Sequence, residues 1–415
     1  MKKISKKEVS KLINLFLRVM PLAVKFVFFA ALSKVLTTDN YGSYTLITTT
    51  VTVSIFVLGL DFYNYSIREV LINKSRVFQK LFSTFSLYAI IYLAISIIVA
   101  FVLLTFSNVF TLSPSTIIII TLICFSEHFC QEAYRLQIAF KKIYLANIIF
   151  FFRVFVWMAY LVIQVLLFQK EVSINRILNL WLIFNVVAVL LNFITAHNFI
   201  RKNLNYLKLD LDFIKKGLVI SGLFFAGTLS LKSIEYLNRY IVDLFLGKEM
   251  TGIFSFYSNL ALVISVYVNA IVISFELPAL IEKGKSSQIN SYFKGFKKSF
   301  LKHIIIIVVV LVIAIFPILK WQNMEIYSNY FYVFFILLLA SAIMNYSLVF
   351  HFYLYIKKKD KKILMLTIKS GIFNLLATFA LTYLLGILGA SVSFLLTSIC
   401  LFYLRKTSSK KIGYE

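Results

Sequence analysis

The sequence predicts an all-α polytopic membrane protein of about twelve spanning helices, arranged as two parallel halves. Three observations carry that expectation. Hydrophobic side chains make up 60% of the 415 residues and charged ones only 14%, where soluble domains are about half apolar and a quarter charged. Apolar runs of roughly 20 residues, the length that a hydrocarbon core of about 30 Å demands, recur along the whole chain. A short segment near residue 36 returns near residue 246 in an equivalent place between two such runs.

Apolar stretches bounded by charge or turn residues place spans near 12–36, 41–62, 80–106, 115–134, 143–168, 176–200, 214–246, 250–277, 300–320, 327–354, 363–384 and 387–404. Each run is two to three times the length of a barrel strand and lacks period-two alternation, which excludes strand-based spanning. The first follows MKKISKKEVSKLINLF, basic and then apolar, with no small-residue cleavage site. It reads as a retained span, not a signal peptide, and Pro21 is expected to kink it. LTTDNYGSYTL leads into the second, and Arg68, Lys74, Arg76 and Lys80 separate the second from the third. Arg135, Lys141 and Lys142 lie between the fourth and fifth, and five cations from Arg201 to Lys216 between the sixth and seventh. LGKEMTG divides the seventh from the eighth, and a basic segment near 278–300 containing SSQINSYFKG follows the eighth. KKKDKK at 357–362 separates the tenth from the eleventh, and a basic tail from Arg405 to Lys411 follows the twelfth.

The formal charge of +26 does not point to nucleic acid, because such a partner needs cations on folded soluble surface and the apolar runs leave almost none. Topology accounts for the excess instead. Of 43 Lys and Arg, 32 fall on the side of the N-terminus, six on the other and five inside spans. The retention of cations on the cytoplasmic side then predicts that both termini are cytoplasmic in a bacterial inner membrane. Cys124, Cys130 and Cys400 lie in apolar runs without metal-ligand spacing, so neither a disulfide framework nor a metal site is expected. With no P-loop, Rossmann glycine pattern, paired-carboxylate motif or Ser-His-Asp arrangement, neither an enzyme nor a bound cofactor is expected.

LTTDNYGSYTL (Leu36 to Leu46) overlies LGKEMTGIFSF (Leu246 to Phe256) at an offset of 210, with Asp39 over Glu249 and Gly42 over Gly252. Each copy joins the first and second span of a six-span half, so the repeat is parallel, with halves at 1–205 and 206–415. Together with GLDFYNYSIREV at 59–70, EAYRLQ at 132–137, LNRYIVDLFLGKEMTGIFSFYS at 237–258, LPALIE at 277–282 and LGILGASVSFLL at 385–396, these segments make the chain resemble a family of transporters. That family is the bacterial O-antigen and capsule repeat-unit flippases, within the multidrug/oligosaccharidyl-lipid/polysaccharide exporter superfamily. The resemblance implies two six-helix bundles around a central cavity, lined by helices 1, 2, 7 and 8, that opens alternately to each side. The first half lacks a counterpart of the Gly386 and Gly389 pair, a departure from internal symmetry.

Charges inside spans are costly, about 2.5–3.5 kcal/mol on insertion scales, and so mark cavities or partners. Lys25, Arg153, Lys232, Arg239 and Lys369 are the candidate substrate-binding cations, suited to a diphosphate. Snorkelling to the headgroups is an equal reading for Arg18 and Lys369. Lys232, Glu235, Arg239 and Asp243 share one helical face, either a self-neutralised ladder or a functional surface. Glu127, a carboxylate without a cation one turn away, and its neighbour His128 are the candidates for ion coupling. Asp61 with Arg68, and Glu276, are candidate gate residues near inner helix ends.

These readings combine into a flippase that moves undecaprenyl-diphosphate-linked oligosaccharide to the outer leaflet, with membrane lipid around it and a polysaccharide polymerase and chain-length regulator as expected partners. Two alternatives stay open: a cation-coupled multidrug exporter of the same superfamily, and a membrane polysaccharide polymerase. An exporter of cations favours acidic cavity residues over Lys25, Arg153 and Lys232. A polymerase calls for a larger outer loop than any connection here supplies.

Overall fold

The computed structural model describes residues 6–72, 76–106, 112–273, 276–277, 280, 282, 289–322 and 325–413, and every regular element among them is helical. Lys2, Lys3, Lys74, Lys283 and Lys285, together with Pro278, Ala279 and Ile281 of the LPALIE segment, lie outside the described residues.

The chain opens with α1 (Lys6–Val35), α2 (Thr38–Gly59), the short α3 (Tyr63–Ile72) and α4 (Val77–Phe106). α5 (Pro114–Ala139) starts where Ser113 accepts the amide of Thr116 at 3.3 Å and Pro114 occupies the first turn, a proline position that forfeits no helical hydrogen bond. α6 (Ile143–Phe151) runs through a π turn, Phe152–Val156, into α7 (Trp157–Phe168). α8 (Ile174–Lys202) is capped by Ser173 in the same way as α5. α9 (Leu211–Tyr267) ends in a second π turn, Val268–Ile273. α10 (Ile289–Gln322), a single turn α11 (Glu325–Ser328), α12 (Phe331–Tyr346), α13 (Leu348–Ile356) and α14 (Asp360–Lys410) complete the order.

Ten helices among the described residues are long and apolar enough to span a bilayer, two of them, at 63 and 51 residues, far longer than one crossing needs. Each of those two contains one non-helical glycine, Gly247 (φ 79°) in α9 and Gly386 (φ 61°) in α14. Glycine adopts that left-handed conformation without a Cβ clash. The two bends divide ten helices into the twelve segments that the apolar runs predict. α3 is a difference: residues 63–72 read as part of a connection, yet they fold as a helix that buries Tyr65, Ser66 and Val70. Pro21 lies inside α1, which runs on to Val35.

Two compact units emerge: Met1–Val35 with Ile47–Phe225, and Leu36–Leu46 with Ala226–Glu415. The expected division at 205/206 differs because the start of α9 packs in the first unit. There Phe213 meets Phe62 edge-on at 5.8 Å, beside Tyr65 and Tyr88. A second core patch of that unit joins Ile47, Val51 and Leu58 of α2 to Ile123 and Cys124 of α5 and Leu178 of α8. In the second unit Phe293, Phe296 and Phe300 of α10 are buried, and Phe293 packs on Tyr353 at 5.1 Å. α4 exposes Ile90, Leu93, Ile97, Phe101 and Leu104. Such a contiguous apolar face is compatible with lipid tails and not with water.

Candidate functional site

The first unit concentrates its buried polar groups on α5. Glu127, 8% exposed, forms an ion pair with Arg153 at 3.3 Å and accepts the indole Nε1–H of Trp181 at 2.7 Å. Arg153 sits in the π turn between α6 and α7, and its carbonyl accepts Trp157 Nε1 at 2.9 Å. Trp157 stacks on Trp181 with centroids 6.0 Å apart. Glu127 has no cation one turn away on α5, and its partner comes from another helix. Arg153 and Glu127, assigned to cargo and to ion coupling by sequence, are one unit.

His128 is fully buried, with Nδ1 2.5 Å from the Tyr92 hydroxyl and Nε2 4.0 Å from Glu132 Oε1. Glu132 accepts the Tyr88 hydroxyl at 3.1 Å and pairs with Arg135. Arg135 in turn lies over the Tyr63 ring at 3.6 Å. A Cβ on Gly59 would come within 2.9 Å of His128 Nε2, so the glycine lets α2 approach the imidazole. His128 Nε2, at 4.0 Å from Glu132, is the one buried side-chain atom of this chain of contacts without a hydrogen-bond partner among the described residues.

Lys25 and Lys369 are exposed, and Lys25 lies 5.8 Å from the Phe29 ring centre. Asp61 is buried in a turn with φ 51°, whereas Arg68, its expected partner, is exposed on α3. Glu69, also on α3, pairs with Lys80 at 3.5 Å. Glu276 accepts the Ser299 hydroxyl at 2.5 Å, a contact between residues of the second unit.

In the second unit α9 carries the remaining cations. Lys232 pairs with Glu235 at 2.6 Å, and Lys232 and Arg239 each lie 5.5 Å from the Tyr236 ring between them. Of the two readings of the Lys232, Glu235, Arg239 and Asp243 face, the self-neutralised one describes the Lys232–Glu235 pair. Asp243 pairs across the Gly247 bend with Lys248 at 2.5 Å. Arg239, 3% exposed, donates to Asn259 Oδ1 at 2.8 Å and Ser258 Oγ at 3.3 Å. Beside this face opens a small cleft lined by Glu235, Asn238, Ser258, Ser341, Phe254 and Phe394. Behind it Asn238, Asn374, Thr378 and Ser393 form a fully buried hydrogen-bonded set.

The same unit contains a helix crossing built on the sequence repeat. Gly42 and Gly252 face each other so closely that a Cβ on either would overlap a backbone carbonyl, of Lys248 and of Thr38 respectively. One turn on, Thr45 donates to Ser255 at 3.1 Å across a separation of 210 residues, which equals the repeat offset. Sequence reading singled out neither Asn259 nor Asn374. Both are polar residues inside apolar runs, the one signal that could have found them.

The family described as polysaccharide biosynthesis protein matches residues 12–283. A comparison with curated proteins finds no match. Among solved structures, an inward-facing multidrug resistance MATE family transporter of the MOP superfamily superposes with a TM-score of 0.71, at 10% identity over 96% of this chain and 99% of that one. A Vibrio cholerae MATE transporter gives 0.63 at 13% identity, over 96% and 94%. A MOP superfamily transporter from Pyrococcus furiosus gives 0.60 at 9% identity, over 97% and 95%. At these identities the likeness is one of fold: a two-bundle, multi-pass transporter architecture.

Proposed function

This chain belongs to the polysaccharide biosynthesis protein family, and from that membership we propose that it is a flippase for undecaprenyl-diphosphate-linked oligosaccharide repeat units, serving O-antigen or capsule synthesis at a bacterial inner membrane. The observation that carries the reading is the Lys232, Tyr236 and Arg239 stack on α9, with Asn259 and Ser258 behind it. Two cations about an aromatic ring suit a diphosphate joined to a sugar. The charges pair with phosphate oxygens, and the aromatic ring between them holds the two cations apart. Of the Pyrococcus furiosus transporter it is said that reverse polarity of the binding pocket suggests a different function. Basic side chains on α9 are read here in the same sense, against an exporter of cations. Energy coupling is assigned to α5, to Glu127 and to His128, which adjoins the buried carboxylate Glu132.

Reconstitution into proteoliposomes tests the assignment. Lys232→Ala and Arg239→Ala should each reduce flipping of undecaprenyl-diphosphate-linked oligosaccharide at least tenfold at unchanged protein abundance. Arg at 232 should restore more than Gln, because it keeps the charge. Full flipping by the Lys232→Ala, Arg239→Ala double variant would overturn the cargo reading. Buried Glu127 and Glu132 favour the second reading, a cation-coupled drug exporter. Accumulation of a cationic dye with no flipping of the lipid-linked sugar would establish it instead.

A further inference from the structure

Arg239 and the Gly42–Gly252 crossing meet through one side chain. A guanidinium only donates, so the Asn259 carbonyl oxygen must face Arg239, which turns the amide nitrogen to the Tyr41 hydroxyl. The distances are 2.8 Å and 3.5 Å. Tyr41 is fully buried and immediately precedes Gly42, and three residues later Thr45 holds Ser255. At the crossing two glycine backbones meet and two small hydroxyls are hydrogen-bonded.

We propose that Asn259 is a positioning residue that couples anion binding at Arg239 to opening of the α2–α9 crossing. The proposal rests on the cargo reading above. A diphosphate offers charged acceptors that can engage a guanidinium bidentately, a stronger pairing than the single hydrogen bond of a neutral carboxamide. On arrival it takes over the Arg239 donors. Asn259 loses the contact that orients it, its hold on Tyr41 is released, and the crossing is freed to separate. An empty site keeps Arg239, Asn259 and Tyr41 linked and the crossing shut, so the headgroup itself triggers the release step.

A cysteine pair reads the crossing directly. In a background with Cys124, Cys130 and Cys400 replaced by Ala, Thr45→Cys and Ser255→Cys should form a disulfide rapidly in oxidising proteoliposomes. Farnesyl diphosphate should slow that reaction at least fivefold, and farnesol should not. With Asn259→Leu or Tyr41→Phe the response to farnesyl diphosphate should fall below twofold, although binding persists. Asn259→Asp, isosteric and able to fold, should clamp Arg239 harder and likewise blunt the response. An undiminished response in all three variants would overturn the coupling. A second arm needs no cargo: Arg239→Gln should change the basal cross-linking rate at least threefold with Asn259 present and leave it unchanged with Asn259→Leu. If farnesyl diphosphate fails to bind the unaltered protein, the cargo reading falls and this arm alone decides the coupling. Equal effects of Arg239→Gln in both backgrounds would refute it.

Discussion

At the scale of single residues, the buried Glu127–Arg153 pair sets the strongest constraint in the first unit. Both charges are almost wholly withdrawn from solvent, so removing one strands the other. Arg153→Ala should therefore destabilise the protein by about 3–5 kcal/mol, the usual cost of an orphaned buried charge. Arg153→Met combined with Glu127→Gln should recover most of that loss, since Trp181 can still donate to the Gln carbonyl and no charge remains. Thermal unfolding in detergent micelles measures both. A double variant no more stable than Arg153→Ala would mean that the guanidinium packs and does not pair. Both residues were legible as intramembrane charges, but their union was not. Spacing within one helix tells which side chains share a face. It does not tell how α5 is rotated against the π turn at 152–156, which aims Arg153 back at Glu127.

At the scale of elements, two glycines make the α14 bend. Gly386 supplies the left-handed backbone, and Gly389 lies so close that a Cβ there would overlap the Leu381 carbonyl. Gly389→Ala should consequently cut the yield of folded protein severely. Gly222→Ala, where nothing lies within 4 Å of a new methyl, should leave yield unchanged or improve it by relieving glycine's entropy cost in a helix. Size-exclusion recovery after extraction compares them, and a normal yield for Gly389→Ala would contradict the bend. The spans themselves were readable because apolar length and flanking charge define them independently of packing. α3 was not, since ten residues with Arg68 and Glu69 exposed or half-exposed resemble an ordinary connection. Its helix exists because Tyr65 finds Phe62 and Phe213, a contact 148 residues distant in sequence from the latter that no local pattern announces.

At the scale of the molecule, the bends decide topology. A straight helix of 63 residues would be about 95 Å long, three times the thickness of the hydrocarbon core, so the Gly247 bend must return the chain through the bilayer. Counting α9 and α14 as two crossings each gives twelve passes and places KKKDKK at 357–362 on the same side as the N-terminus. Counting α9 once puts that tract, and the cations from Lys294 to Lys302, on the opposite side, against the retention of positive charge in the cytoplasm. The two counts predict different labelling. In a cysteine-free background, Glu249→Cys, an exposed position beside the bend, should react with a membrane-impermeant maleimide added to intact cells. Asn205→Cys and Asp360→Cys should react only after permeabilisation. Labelling of Asp360→Cys from outside, with Asn205→Cys protected, would show that one bend does not reverse the chain. It would also break the parallel relation between the two halves on which the pairing of Thr45 with Ser255 depends.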